Sequence, residues 1–226
     1  MKTKKKRKKF KIKKIISIFI IILLIGIFIG WYKDKHIKNI YVTNNSILSE
    51  QTVIELAELE DYPLIYKVSS KKIEKRLLTS PFVKEVNVKK SLFGKIIINV
   101  KEYQVLYKDS INNNYVLSNG KSVNYDNDFN GLPVLVNEVK EEVYNKFIES
   151  LKKIDTNIML KISEIKYDPV DLDDERFLLY MTNQIYVYVT LDKIEVINSY
   201  NEIVPTLEGK KGILYLDSGN HFQIMK

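Results

Sequence analysis

The longest apolar stretch, Ile15 to Tyr32, runs eighteen residues without a charge. As a helix rising about 1.5 Å per residue it reaches roughly 27 Å, slightly under the ~30 Å hydrocarbon core, and the stems of Lys14 and Lys33 make up the difference. One membrane crossing over residues 15–32 is expected. Beyond it the apolar positions become sparse and periodic. Ile40 and Val42 alternate with polar neighbours in a short strand that ends at the Asn44-Asn45 turn. Val53, Leu56, Ala57 and Glu60 fall on the three-four spacing of one helical face, with Ser49 as N-cap and Asp61-Tyr62-Pro63 as the stop. A second helix starts near Ser69-Ser70, buries Ile73, Leu77 and Leu78, and closes at Pro81. From Phe82 the period falls to two. Val83, Val86 and Val88, then Ile96, Ile98 and Val100, alternate with Lys and Asn around the turn Ser91-Leu92-Phe93-Gly94, which predicts a hairpin. Strand, helix, helix, strand, strand is the order of a compact α+β unit with helices on one face of its sheet.

The second half reads as mostly strands. Gln104 to Lys108 and Asn114 to Ser118 alternate, and Asn119-Gly120 is a type I′ hairpin signal leading to Val123 and Tyr125. Val139, Val143, Phe147, Leu151 and Ile154 make one helical stripe about sixteen residues long. Strands follow at 162–167, 177–181 and 185–191, a short helix with its approach at 194–207, and a last strand at Gly212 to Asp217.

The chain carries a formal charge of +8, which on a folded face would point to nucleic acid. Residues 2–14 hold ten Lys and Arg with no acid, and without them 26 Lys and Arg face 28 Asp and Glu, about −2 for residues 33–226. The basicity therefore belongs to the tail. Positive-inside topology accounts for it: the N terminus is cytoplasmic, Trp31 and Tyr32 anchor the far membrane interface, and the remainder is extracytoplasmic. A cleaved signal peptide shares the basic-then-apolar order, but the small-x-small cleavage pattern is missing around Gly26, Phe28 and Gly30. With no Cys there is no disulfide framework. The residues after the anchor suit two small domains.

Four segments of the first domain carry a resemblance: Ile37-x-x-Ile40-x-Val42-x-x-Asn45, Leu48-Ser49-x-x-x-Val53, Ser80 through Lys90, and the closing Ile96-Ile97-Ile98-Asn99-Val100-Lys101-Glu102. They resemble the POTRA domain of the FtsQ/DivIB family of bacterial division-septum proteins, in that family's order: a cytoplasmic tail (1–14), one transmembrane helix (15–32), a β-α-α-β-β POTRA domain (33–103) and a β domain (104–226) with a mixed or antiparallel sheet and one long helix. Leu132 to Leu135 and the glycine-led last strand are similar to segments of the family's β domain. The resemblance implies a non-enzymatic scaffold at the division septum that binds the extracytoplasmic parts of FtsL and FtsB/DivIC type partners and supports septal peptidoglycan synthesis. Neither cofactor, nucleic acid nor small-molecule substrate is implied; the lipid bilayer is.

Strand addition needs an accessible edge, and Ile213, Leu214, Tyr215 and Leu216 in the last strand are the candidate partner-binding residues, with Ile96 to Val100 and the first strand as secondary candidates. Catalytic chemistry has few bases to draw on. The histidines are His36 and His221 alone, and neither sits in a nucleophile elbow; both read as solvated. Asp126-x-Asp128-x-Asn130-Gly131 matches the opening of a calcium loop, but its twelfth position is Asn137 where a bidentate Glu is needed, so a plain Asx-rich turn is expected and no metal. The acids from Asp168 to Glu175 read as a charged inter-strand turn, and the tyrosines as cross-strand packing. Two other classes remain open: a membrane-anchored hydrolase or ligand-binding domain, which lacks a catalytic constellation, and a POTRA-bearing transport component, which would need a long series of barrel strands after residue 103.

Overall fold

A computed structural model describes residues 12–126 and 128–225, so most of the basic tail lies outside the described residues. Helix α1 spans Ile12–Lys33, and its segment Lys14–Lys33 is long and apolar enough to cross a membrane. From Lys14 to Trp31 its residues are exposed throughout, the distribution expected of a helix whose partner is lipid. The chain divides into two compact units on either side of the junction between Glu102 and Tyr103.

In the first unit the order is β1 (Asn39–Thr43), α2 (Glu50–Leu56), α3 (Ser70–Leu77), β2 (Val83–Lys90) and β3 (Lys95–Glu102), as the periodicity predicts. The sheet order is β1-β3-β2, β1 running parallel and β2 antiparallel to β3. Val42, Ile98 and Val88 lie side by side in register, all buried. Ser49 caps α2 by accepting the Thr52 N–H at 3.0 Å. That helix stops at Leu56, four residues short of Glu60, because the chain turns into the left-handed region at Glu58, φ 55°. A 3-10 turn at Ile65–Lys67, which periodicity missed, buries Ile65.

The secondary docking candidate Ile96 to Val100 is corrected here: β3 is the central strand, paired on both sides, with Ile96, Ile98 and Val100 fully buried. The closing Glu102 has a structural task. Its carboxylate accepts the N–H groups of Ser46, Ile47 and Leu48 at 2.7–2.9 Å and the Ser46 hydroxyl at 2.8 Å, tying the loop after β1 to the end of β3.

The second unit is built on a nine-stranded sheet: β4 (Val105–Asp109), β5 (Asn114–Leu117), β6 (Ser122–Val123), β7 (Val134–Leu135), β8 (Ile162–Tyr167), β9 (Arg176–Met181), β10 (Tyr186–Thr190), β11 (Gly212–Tyr215) and β12 (His221–Ile224). The order is β12-β11-β10-β9-β8-β7-β4-β5-β6. Only two residues long, β7 runs parallel to both β4 and β8 and joins the antiparallel β4-β5-β6 to the β8-to-β12 half, in which β10 and β11 are also parallel, as one mixed sheet. Helices α4 (Glu141–Leu151) and α5 (Thr156–Met159), a 3-10 segment (Leu191–Ser199) and α6 (Tyr200–Thr206) supply the rest of the core. The expected sixteen-residue helix is thus α4 alone; its apolar stripe continues through Ile154 into α5, where Ile158 is buried. Phe147 of α4 stacks on Phe177 of β9, ring centroids 4.6 Å apart, and meets Tyr107 of β4 at 5.5 Å.

The Asn119-Gly120 hairpin forms with a different turn. Only Gly120 has positive φ (77°), the Gly120 N–H donates to the Leu117 carbonyl and the Leu117 N–H to that of Lys121, which makes a three-residue loop and not type I′.

Candidate partner-binding surface

The end of the sheet formed by β10, β11 and β12 carries half-exposed tyrosines and an outer strand. Alternation along β9 to β11 sends Phe177, Leu179, Val187, Val189 and Leu214 into the core and leaves Tyr180, Tyr186, Tyr188, Ile213 and Tyr215 half-exposed on the opposite face. On that face a ladder crosses four strands. The Arg176 guanidinium lies 3.5 Å from the Tyr188 ring centroid, Tyr188 stacks on Tyr215 at 5.4 Å, and Tyr215 on His221 at 4.5 Å. Each rung follows from register: Thr190 opposes Arg176, Tyr188 opposes Tyr215, and Tyr215 opposes His221.

Charge fixes the corner where β11 turns into β12. Arg176 Nε donates to Asp217 Oδ2 at 2.7 Å, with Asp168 at 3.6 Å from the same guanidinium, and Lys193 Nζ donates to the Asp217 carbonyl at 3.2 Å. Burial works to raise the Asp217 pKa, but hydrogen bonds from Arg176 and Ser218 outweigh it and hold the carboxyl below its ordinary value.

The last strand expected from sequence, Gly212 to Asp217, is not the edge. It lies between β10, parallel, and β12, antiparallel, and Leu214 and Leu216 are buried in the core. His221, Phe222, Gln223 and Ile224 do alternate polar and apolar, but the run is only four residues long and stands at the chain's end, too short for periodicity to mark β12. A cue was present in Gly212: a Cβ there would sit 2.1 Å from the Gln223 carbonyl oxygen, so the glycine marks where a further strand passes close. The outer strand is therefore β12. Met225 donates its N–H to the Lys211 carbonyl at 3.1 Å, so by the alternation of an antiparallel ladder Phe222 and Ile224 direct their backbone groups outward. Ile224 is 55% exposed and Met225 43%.

Residues 35–103 match the POTRA domain, FtsQ-type, family. Over almost the whole length, the chain is 30% identical to the cell division protein DivIB of Bacillus anthracis across 226 residues, covering 96% of this chain and 84% of that one. The chain belongs to the DivIB family. It is also 28% identical to DivIB of Bacillus subtilis strain 168, over 98% of this chain and 88% of the relative. A solved structure of the major extracytoplasmic domain of the trans isomer of DivIB from Geobacillus stearothermophilus aligns with a TM-score of 0.40 and 19% identity, covering 48% of this chain and 96% of that one. This DivIB-family chain is accordingly a cell-division protein, and among its described residues one helix is long and apolar enough to cross a membrane.

The remaining sequence candidates are dispersed. His36 Nδ1 lies 3.0 Å from the Tyr62 carbonyl in the first unit, while His221 belongs to the aromatic ladder of the second. Asp128 accepts the Tyr115 hydroxyl at 2.8 Å and Lys108 Nζ at 3.5 Å, and those partners hold its carboxyl below the ordinary value. In the acidic turn, Asp173 accepts the Glu175 N–H and the Thr190 hydroxyl, and Glu175 pairs with Lys146. A cleft of about 340 Å³ beside α6 is lined by Lys161, Asn183, Tyr200, Asn201 and Pro205, where burial pushes the Tyr200 phenol up to about 12. Its polar groups bond to one another, Tyr200 to Asn183 and Lys161 to Asn201, and neither carboxylate nor imidazole lines it. Trp31 and Tyr32 occupy the last turn of α1.

Proposed function

We propose that this chain is a non-enzymatic, single-pass scaffold of the division machinery. Its extracytoplasmic domains bind partners of the FtsL and FtsB/DivIC type and thereby support septal peptidoglycan synthesis. The organisation is a cytoplasmic tail (1–14), the crossing (15–32) with Trp31 and Tyr32 at the outer interface, a POTRA domain (33–103) and a β domain (104–226). The tail's ten cations set the N terminus inside.

One observation carries the reading: β12 is an outer strand with the backbone N–H and C=O groups of Phe222 and Ile224 turned outward, the arrangement to which an extended partner segment adds as a further strand. The docking site is then β12 with Ile213 and Tyr215 of β11 contributing face contacts, whereas Leu214 and Leu216 act through the core beneath it. Proline at position 224 removes one outward N–H and leaves the inward bonds of Gln223 and His221 to β11 in place. The full-length Ile224→Pro protein in lipid nanodiscs should bind the extracytoplasmic segments of its own organism's coiled-coil pair at least tenfold more weakly than the native chain in titration calorimetry. Undiminished binding by the folded variant excludes β12 as the docking edge.

A further inference from the structure

The hairpin between β2 and β3 ends in Ser91-Leu92-Phe93-Gly94, where Leu92 is 52% and Phe93 74% exposed. Two large apolar side chains at a loop tip are costly in water unless something covers them. Their location supplies the cover. The Phe93 ring stands edge-on to that of Trp31, centroids 6.4 Å apart, and Trp31 lies in the last turn of the membrane-spanning helix. The tip is therefore at the depth of the helix's own aromatic anchor and not out in the aqueous phase.

The connector leaves little freedom to change this. The Lys35 carbonyl accepts the Ile65 N–H at 2.8 Å, Ile37 donates to the Pro63 carbonyl at 3.0 Å, and Lys38 donates to the Gly94 carbonyl at 2.7 Å. Gly94 sits at φ 85°, and a Cβ there would come within 2.6 Å of the His36 carbonyl oxygen, so the hairpin tip and the exit from the helix pass each other at a distance only glycine permits. The 3-10 turn at Ile65–Lys67 also lies against α1 and presents Tyr66, 44% exposed. Cations surround these rings: Lys35 Nζ is 4.3 Å from the Trp31 ring centroid, Lys95 Nζ 4.7 Å from that of Tyr41, and Lys33 ends the helix, with Asp34 as the acid among them. Aromatic and aliphatic groups flanked by Lys are the composition of a surface that sinks into the headgroup region, where the ammonium groups meet lipid phosphates.

We propose that the hairpin tip Leu92-Phe93 is a second membrane contact, inserted beside Trp31 into the outer-leaflet interface and held by Lys33, Lys35 and Lys95 at the phosphates. The first domain is then seated on the bilayer instead of swinging on a tether. Its occupant is lipid, by continuity with the spanning helix.

Because the chain contains no cysteine, a single introduced one labels cleanly. Full-length Leu92→Cys and, separately, Phe93→Cys carrying a nitroxide are compared with Ile20→Cys, in the middle of the span, in nanodiscs of phosphatidylcholine and phosphatidylglycerol. Collision with oxygen and with a water-soluble nickel chelate is read by electron paramagnetic resonance. The expected result is nickel accessibility at least threefold below that of free label in water at both tip positions, and above that at Ile20. Tip labels as accessible as free label overturn the proposal, as does shielding that arises only once transmembrane segments of partner proteins are added. Water access at Ile20 as well removes the membrane-spanning reading on which the proposal rests. The outcome is independent of whether β12 binds a partner.

Discussion

The two folded units each close a sheet with a carboxylate, and they do so by different means. Glu102, at the end of the first sheet, is satisfied by three backbone N–H groups and one hydroxyl of a single loop. Asp217, at the far corner of the second, is held by the Arg176 guanidinium, which also stacks on Tyr188. The first arrangement holds a carboxylate with backbone and hydroxyl donors alone and secures a three-stranded sheet whose central strand buries Ile96, Ile98 and Val100. The second is ionic and draws β9, β10 and the β11–β12 turn together at the end where a partner strand would add. Stability in the first unit thus rests on packing, while the order of the outer strand in the second rests on charge.

The largest test of this division is in the cores. Ile98→Ala, at the centre of the first sheet, and Phe147→Ala, against Tyr107 and Phe177 in the second, should each cost about 3–5 kcal/mol. Hydrogen exchange should show the loss confined to the unit that carries the substitution. Equal loss of protection in both would mean that the chain unfolds as one cooperative body.

The carboxylates come next. Asp217→Asn leaves a guanidinium that is largely buried with only Asp168 as a charged neighbour, and should cost about 3 kcal/mol; Glu102→Gln, losing acceptor capacity without leaving an unpaired charge, about 1–2 kcal/mol. Acid separates them further. The folded Asp217 pKa lies below its ordinary 3.8, so its stabilisation is full above the unfolded value and disappears as pH falls through the folded one. Below about pH 4 amide protection in β11 and β12 should drop in the native chain, and Asp217→Asn should flatten that dependence. A native corner whose protection falls with pH no more steeply than that of Asp217→Asn would show that the ion pair is not what orders β12.

The same contrast explains what the sequence made legible. In the first unit each strand is long enough to show its period, and the closing Lys101-Glu102 was readable as a motif, although its reason, a loop fifty-odd residues away, is not encoded in spacing. The second unit exceeds what periodicity conveys. A two-residue strand such as β7 has no period, and β12 carries an exposed Ile224 beside a half-buried Phe222. The expectation that Tyr215 lies in a terminal edge strand failed for that reason. Gly212 carried the missing signal, but a glycine reports a close approach without saying what approaches. The ladder from Arg176 to His221 joins residues up to 45 positions apart and exists only through strand register.

The smallest expected effect comes from the hairpins, which both units build alike. Ser91 to Lys95, Leu117 to Lys121 and Met181 to Ile185 each close with the first residue's N–H donating to the fifth carbonyl and the fourth N–H returning to the first carbonyl. The fourth position is left-handed in all three: Gly94 at φ 85°, Gly120 at 77° and Gln184 at 66°. A residue with a Cβ gives up about 1–2 kcal/mol there, against about 0.5–1 kcal/mol for the greater chain entropy that glycine loses on folding. Gln184→Gly should therefore stabilise the second unit by about 0.5–1 kcal/mol and raise its urea midpoint at unchanged m-value. The opposite replacement, Gly120→Ala, should lower that midpoint by a similar amount, since its Cβ meets only side-chain atoms at 3.9 Å and the cost is conformational. A lower midpoint for Gln184→Gly would mean that the glutamine side chain contributes more than its backbone strain removes, and the three loops would then be alike in hydrogen bonding but not in energetics.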